Sequence, residues 1–446
     1  MIHMKVIVHQ EAKAVCDTKE MTSKPLIELA KTFAGGTPSR SIQEFFNGAI
    51  PWVKSTEVNF PYIEDTEEYI SERAVIASSA KWVNKGSVLV AMYGATAGQV
   101  SELRINATTN QAVLAIDSIG EVSNRYLYYY LANIKNKLLY VAQGSGQPNL
   151  SKSLVDKLIV RYPSVIKQKK IIKILSTIDQ TIEKTEALIY KYRQIKAGLM
   201  HDLFTRGLTA DGKLRSPREQ APDLYQETPI GWIPKEWIVE PAKNIIVNIK
   251  RGPSLATNLK ESGIRYLTSD NIRNDGELDW TIIKHLDVPQ HSLTSILEID
   301  DVILNCVNSE GQIGKVGFIY ELPELTTVGF NNFAIKFDDT FVSPRFCFYL
   351  LSDQRFQKSL RQKIKPAINQ VSFSASDLNR IICAYPKNKS EQDKIVAILD
   401  GETKYLGSEL LMQKKFMKIK SGLMHDLLTG RVRVKVNESK NQEAAA

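Results

Sequence analysis

Gly198-Leu199-Met200-His201-Asp202-Leu203-Phe204-Thr205 returns as Gly422-Leu423-Met424-His425-Asp426-Leu427-Leu428-Thr429, an offset of 224 residues. Run backwards without a gap, that offset superposes Gln168, Lys170, Ile171, Ile174 and Leu175 on Gln392, Lys394, Ile395, Ile398 and Leu399. A whole segment is therefore duplicated. From Lys167 to Phe204 apolar residues recur at Ile171, Ile174, Leu175, Ile178, Ile182, Ile189, Tyr192, Ile195, Leu199 and Leu203, the three-and-four spacing of an amphipathic helix. Pro163 before it and Gly207 after it punctuate its ends. At 1.5 Å per residue the predicted helix is about 60 Å long. Its copy runs from about Ser390 to Thr429, with Ile395, Ile398, Leu399, Leu406, Leu410, Phe416, Ile419, Leu423 and Leu427 on the stripe. A stripe this long must be covered, and the only comparable stripe in the chain belongs to the twin, so the two are expected to pair antiparallel. The residues expected in that pairing or at a partner's surface are Ile171, Leu175, Ile178, Ile182, Leu199, Leu203, Ile395, Leu399, Leu406, Leu410, Leu423 and Leu427.

Working outward, each helix is preceded by a block of mixed character, and the blocks echo each other. Ile50-Pro51-Trp52-Val53-Lys54-Ser55 resembles Ile264-Arg265-Tyr266-Leu267-Thr268-Ser269, and Gly86-Ser87-Val88-Leu89-Val90 resembles Asp301-Val302-Ile303-Leu304. Asn110-Gln111 is matched with Asn331-Asn332, Tyr126 to Leu131 with Phe346 to Leu351, and Gln147-Pro148-Asn149-Leu150-Ser151 with Ile368-Asn369-Gln370-Val371-Ser372. A connector carrying Pro217, Pro222, Pro229, Gly231 and Pro234 reads as a linker. The expected organisation is an arm (1–20), a first block (21–164), a helix (165–207), a linker (208–229), a second block (230–387), a second helix (388–430) and a tail (431–446). The fold class is mixed α/β (α+β): two globular blocks separated by two long helices pairing as an antiparallel coiled coil, with an internal pseudo-two-fold repeat.

At 446 residues the chain exceeds what one core usually supports. Its net charge of +9 and pI near 9.1 suit a polyanionic partner. Cys16, Cys306, Cys347 and Cys383 lie far apart with no CxxC pair, which suggests reduced, buried thiols and neither a zinc set nor a disulfide framework. No run approaches membrane-spanning length, and charged residues break up the N-terminus, so a cytoplasmic protein without a membrane partner is expected.

Common catalytic sets are missing from the sequence. There is no GxxxxGK[ST] loop, HExxH or GxSxG, and Gly311-Gln312-Ile313-Gly314-Lys315-Val316 lacks the spacing and hydroxyl of a phosphate loop. No Asn-Pro-Pro-Tyr or Asp-Pro-Pro-Tyr of the aminomethyltransferase kind occurs. Glu-x-Lys triplets at Glu11, Glu402 and Glu438 lack a nearby Pro-Asp partner. His201 and His425 lie in last helical turns, where a cationic or hydrogen-bonding terminus is the expected role. No residue is assigned to catalysis or to a metal.

Amide, hydroxyl and basic side chains cluster where the blocks match. In the first block these are Thr37, Ser39, Lys54, Ser55, Thr108, Asn110, Gln111, Gln147 and Asn149. In the second they are Arg251, Ser254, Thr268, Ser269, Asn271, Arg273, Asn308, Asn331, Asn332, Asn369 and Gln370, with Lys358, Arg361, Lys363 and Lys365 as phosphate contacts. Asn and Gln pair bidentately with adenine, Arg and Lys with guanine, and Ser or Thr with phosphate or either base. The same residue types also build turns at strand ends, and only the doubling favours the DNA reading.

In order and duplication, Phe33-Ala34-Gly35-Gly36-Thr37-Pro38, Ile50 to Lys54, Lys85 to Leu89, Thr109 to Val113, Gly144 to Ser151, the connector Thr228 to Trp237 and both Gly-Leu-Met-His-Asp-Leu ends resemble the specificity subunit of Type I restriction-modification systems. The resemblance covers about residues 21 to 430. It implies a non-catalytic reader in which two target recognition domains each bind half of a split, asymmetric site on double-stranded DNA. It also implies that the helices set the spacer and dock two methyltransferase subunits, which methylate adenine, and that restriction subunits complete the cleaving complex. S-adenosylmethionine, ATP and magnesium would then belong to the partners and no cofactor to this chain. A stand-alone nuclease with an unfamiliar site and a coiled-coil protein scaffold are the alternative readings.

Overall fold

In the computed structural model, which describes residues 21–142, 149–260, 262–367 and 369–435, both stripes form long helices, Val165–Thr205 and Lys389–Leu428. The first ends as Gly207 predicts, and Gly430, not singled out in the sequence, plays the same part after the second. Gly207 and Gly430 take positive φ, 63° and 76°, where an L side chain is strained, and Gly207 N–H donates back to Leu203 O at 3.1 Å. The start of the second helix is capped by Asn388, whose Oδ1 accepts Ser390 N–H at 2.9 Å.

The chain divides into two compact units, Met1–Glu186 with Met412–Ala446, and Ala187–Leu411, so each unit holds half of each long helix. In unit 1 the halves run antiparallel. Lys420 pairs with Asp179 at 2.6 Å, and seven residues along, in opposite directions, Gln413 Nε2 donates to Glu186 Oε1 at 2.9 Å. Ile171, Leu175, Met424, Leu427 and Leu428 share one core with the block's own Tyr126, Tyr129 and Leu131. In unit 2 Tyr192 stacks on Tyr405 at 6.3 Å, and Leu203, Phe204, Ile395 and Leu399 join the core around Phe346 and Tyr349. The stripe is thus shared between the facing helix half and the neighbouring block. Ile182 and Leu406 are buried and Ile178 and Leu410 half-buried, whereas Leu199 and Leu423 pack against the cores of units 2 and 1 respectively.

The block of unit 1 carries a five-stranded sheet in the order Ala30–Ala34, Val113–Ser118, Val88–Ala91, Val100–Leu103 and Tyr62–Ile63. A second sheet runs Tyr69–Ile70, Ile50–Val53, Ala107–Thr109, Trp82–Val83, and Thr22–Pro25 pairs with Ile159–Tyr162. Unit 2 repeats the plan with Ile246–Arg251, Asn332–Phe337, Val302–Asn305 and Val316–Phe318, then Lys284–Leu286, Ile264–Leu267 and Thr326–Val328, and Trp237–Pro241 against Ile382–Pro386. It adds a small sheet of Val307–Asn308, Gln370–Ser372 and Lys365–Ala367. Alternating apolar positions of these strands supply the cores, with Val88, Leu114, Ile116, Val302, Leu304 and Ile335 all at zero exposure.

Strand pairing aligns the repeats residue by residue. Trp52 pairs with Thr108 and Val53 with Thr109, as Tyr266 pairs with Thr327 and Leu267 with Val328. Lys54 and Ser55 therefore correspond to Thr268 and Ser269, as the sequence suggested. Leu114 pairs with Ala34 and Val90, as Phe333 pairs with Arg251 and Leu304. That register corrects one expectation: the counterpart of Asn110-Gln111 is Gly329-Phe330, and Asn331-Asn332 falls two residues later. A second correction follows from Leu150 N–H donating to Met92 O and Phe373 N–H to Cys306 O, which aligns Asn149 with Ser372 and separates it from Asn369 and Gln370.

The connector is also corrected. It is folded onto unit 2, through the hairpin Tyr225–Thr228 with Gly231–Pro234 and through buried Leu208, Tyr225 and Ile233. Glu391 anchors it, accepting Leu208 N–H at 2.8 Å and pairing with Arg215 at 2.6 Å. The pairing lets both charges sit in a largely dry site.

Cys306, Cys347 and Cys383 are free and buried, and Cys16 lies outside the described residues. No helix among the described residues is long and apolar enough to cross a membrane.

Candidate nucleic-acid interface

In unit 1 the loops that follow the central strands are tied together by main-chain hydrogen bonds. Gly36 N–H donates to Thr109 O at 2.9 Å, Asn110 N–H to Val53 O at 2.9 Å, Met92 N–H to Ala112 O at 2.8 Å and Leu150 N–H to Met92 O at 2.8 Å. Trp52 Nε1–H closes the set on Gly36 O at 3.0 Å. The approach at Gly35 is so close that a Cβ would sit 2.0 Å from Thr109 O, so only glycine fits. These bonds bring Thr37, Lys54, Ser55, Asn110, Gln111 and Asn149 to one edge. Thr37, Ser39, Gln111 and Asn149 are exposed, and Lys54, Ser55 and Asn110 half-buried.

The edge offers mixed hydrogen-bonding chemistry. Thr37 Oγ1–H donates to Gln111 Oε1, which leaves the amide nitrogen to face solvent, and Ser39 meets Ser41 at 2.8 Å. Lys54 is bridged to Glu67 at 2.7 Å and Glu68 at 3.1 Å, and the hydrogen bond to Glu67 raises its pKa. Glu68 also takes Arg40 at 2.6 Å, whose guanidinium lies 4.3 Å from the Phe46 ring centroid, and this pairing lowers the Glu68 pKa. Thr108 is fully buried and donates to Pro51 O, so it supports the edge from inside.

Unit 2 builds the same edge with other side chains. Tyr266 takes the place of Trp52: its hydroxyl donates to Pro253 O at 3.0 Å and accepts Phe330 N–H at 2.6 Å. Gly329 N–H donates to Leu267 O at 2.8 Å, and Cys306 N–H to Asn331 O at 2.8 Å. Arg251 stands exposed, donating Nε–H to Phe330 O at 2.9 Å with its guanidinium 4.1 Å from the Phe330 ring. Ser254 is exposed; Thr268, Ser269, Asn308 and Asn331 are half-buried. Asn369 and Gln370 are exposed at the turn between Lys365–Ala367 and Gln370–Ser372, where Asn369 adopts φ 60°. The left-handed region is one that Asn tolerates well.

Several expected readers have other positions. Asn271 is buried, its Oδ1 accepting Thr268 N–H and its amide donating to Asp279 O and Ile282 O, so it builds the turn and is withdrawn as a base-reading group. Asn332 is withdrawn for the same reason, fully buried with its amide on Leu267 O. Arg273 pairs with Asp275 at 2.8 Å and lines a cleft beside the long helices. Lys363 is exposed, and Lys365, exposed, reaches Asp377 at 3.3 Å. Gln147 lies outside the described residues.

Arg40, exposed Tyr93 beside Asn149, and Phe330 were not anticipated. For Tyr93 and Phe330 the signal in the sequence is an aromatic residue two positions after a strand; Arg40 has no such mark. His201 and His425 are exposed, and their carbonyls accept the hydroxyls of Thr205 and Thr429.

Residues 18–191 match the family model described as Type I restriction modification DNA specificity domain. The chain is 25% identical over 415 residues to the type I restriction enzyme MjaVIII specificity subunit of Methanocaldococcus jannaschii, covering 92% of each. It is 26% identical over 166 residues to the EcoR124I/EcoR124II specificity subunit of Escherichia coli, covering 36% of this chain and 41% of that one. Among solved structures it is similar to a Type I restriction-modification S subunit from M. genitalium, at 15% identity and TM-score 0.57, covering 95% of this chain and 99% of the other. It is also similar to a chain from a study of complex assembly and conformational transition of the type I R-M system, at 13% identity and TM-score 0.52, covering 93% and 99%. At such identities the structures speak to the fold alone.

Proposed function

We propose that the chain is a specificity subunit of a type I restriction-modification system, a non-catalytic component that recognises DNA sequence, and that its two edges read the two halves of one bipartite, asymmetric site. The observation that carries this is a scaffold kept while its outward groups change. The main-chain bonds recur at Asn110 and Gly329 and at Leu150 and Phe373, and the Trp52 and Tyr266 side chains donate alike to the carbonyls of Gly36 and Pro253. The side chains on them differ: Ala34 against Arg251, Gln111 against Phe330, Lys54 against Thr268. Direct readout asks for fixed main-chain geometry and variable donors and acceptors, because each base pair presents its own pattern in the major groove. Two differently furnished copies suit two different half-sites.

In this account the long helices set the unread spacer and dock two methyltransferase subunits. Those subunits carry S-adenosylmethionine and methylate an adenine, which chemistry on a base requires to be taken out of the stack. Restriction subunits, with ATP and magnesium, join the same assembly in the cytoplasm, and this chain itself holds no cofactor. The test is selection from a randomised duplex library by the chain assembled with its methyltransferase. The expected result is two short conserved runs at a fixed separation, with Arg251→Ala relaxing only one of them. A single contiguous motif, or enrichment of none, contradicts the proposal.

A further inference from the structure

The duplicated helices line a cleft in each unit, and the two clefts differ in charge. Positions 224 residues apart face them: Ile182 and Leu406, Lys196 and Lys420, Met200 and Met424. The cleft of unit 1, about 520 Å³, is lined by Asp179, Glu183 and Glu186 against Lys135 and Lys420. There Lys420 is neutralised by Asp179 at 2.6 Å. The cleft of unit 2, about 860 Å³, is lined by Arg193, Lys196, Arg273 and Lys315 against Asp270 and Asp275.

The difference traces to four substitutions between the repeats. Where unit 1 has Asp179, Glu183 and Glu186, the second helix has Thr403, Gly407 and Leu410, and where the second helix has Met417 the first has Arg193. Unit 2 does keep a carboxylate on the helix, one turn earlier at Asp400, but Arg345 holds it at 2.5 Å and Tyr349 donates its hydroxyl to the same oxygen. Lys196 has therefore lost the counter-ion that its twin retains, and it makes no ion pair among the described residues. Its ammonium sits 5.8 Å from the Tyr349 ring centroid, and burial lowers its pKa, with the Arg345 charge adding to the effect. A half-buried ammonium without a partner bears a desolvation cost that an entering anion would relieve.

We propose that the cleft of unit 2 is a binding site for a phosphate group, held by Lys196, Arg193 and Lys315, with Arg273, paired to Asp275, at its rim. Phosphate is the class that fits, because its three or more acceptor oxygens can serve several lysine and guanidinium donors of one cleft at once, where a single carboxylate serves two. Phe348, Leu406 and Leu410 in the lining keep the surroundings apolar and strengthen those contacts. The phosphate is either a backbone phosphate of bound DNA or a free one.

The experiment measures inorganic pyrophosphate binding to the full chain by calorimetry, and duplex affinity across a salt series. It compares wild type, Lys196→Met and Thr403→Asp, the last restoring the counter-ion of unit 1. Melting curves check that each variant folds. A DNA source predicts that the slope of log affinity against log salt falls by about one in both variants, the loss of one phosphate contact. A free-phosphate source predicts an unchanged slope with pyrophosphate affinity reduced at least tenfold. If neither the pyrophosphate affinity nor the salt slope changes in either folded variant, the proposal is overturned.

Discussion

Gln168 and Gln392, 224 residues apart, make the same three hydrogen bonds. Each Oε1 accepts a main-chain N–H, of Ser123 or Ser343, and each Nε2 donates to two carbonyls, of Glu121 and Pro163 or of Phe341 and Pro386. Both glutamines are buried, at 1% and 0% exposure, and their bonds to the proline carbonyls are closed off from water. Each locks the start of a long helix to its block.

Gln168→Ala or Gln392→Ala orphans the buried proline carbonyl together with one part-buried N–H and one part-buried carbonyl. Each change is expected to destabilise its unit by about 2–4 kcal/mol. Urea unfolding of the full chain checks this, and a loss below about 0.5 kcal/mol would show that the clamp is dispensable.

Asp179 accepts the Tyr129 hydroxyl at 2.6 Å while paired with Lys420. Asp179→Asn leaves the Lys420 charge without its counter-ion, while Arg125 keeps its pair with Glu102, and is expected to cost about 3 kcal/mol. Adding Lys420→Met should recover part of that loss, since the two residues couple directly. Strict additivity in the double variant would refute the coupling.

Hydrogen bonds from Lys250 and Lys336 hold the Glu298 carboxyl at a pKa of about 2. A carboxyl depressed on folding contributes stability that is complete above its unfolded value, about 4.3, and that is lost as pH falls toward 2. Glu298→Gln should therefore flatten the acid limb of a stability-against-pH curve over that window and leave its shape near pH 7 unchanged. An unaltered acid limb would mean that the pairing contributes nothing.

Lengthening both helices by four residues adds about 6 Å of rise. With one base pair per 3.4 Å, the preferred spacer should grow by about one or two base pairs while both half-sites stay the same. A constant spacer would remove the helices from that role.

The long helices were legible because a 3.6-residue period sustained over ten turns has no strand alternative, and because Gly207 marks the end of the first. The blocks were legible in outline only. Their offset is 214 between Trp52 and Tyr266, 219 between Leu114 and Phe333, 223 between Ser151 and Ser374 and 224 along the helices, so every loop insertion shifts the alignment. That drift misplaced Asn331-Asn332 and Asn369-Gln370, which strand pairing then corrected. Polar residues deceive for a different reason: Asn271 and Asn332 carry the chemistry of base readers, yet spend it on buried main chain. The linker was misjudged because its prolines hid the buried Leu208, Arg215 and Tyr225, the first two held by Glu391 far along the chain.

The central claim, that two differently furnished edges read two half-sites, is tested most directly by long-read mapping of methyladenine in cells carrying this gene with its methyltransferase, in cells lacking it, and in cells with Arg251→Ala. The account predicts a bipartite motif that appears only with the gene and degenerates in one half in the variant. An assembled complex that leaves no motif, or a variant in which both halves change together, would contradict it.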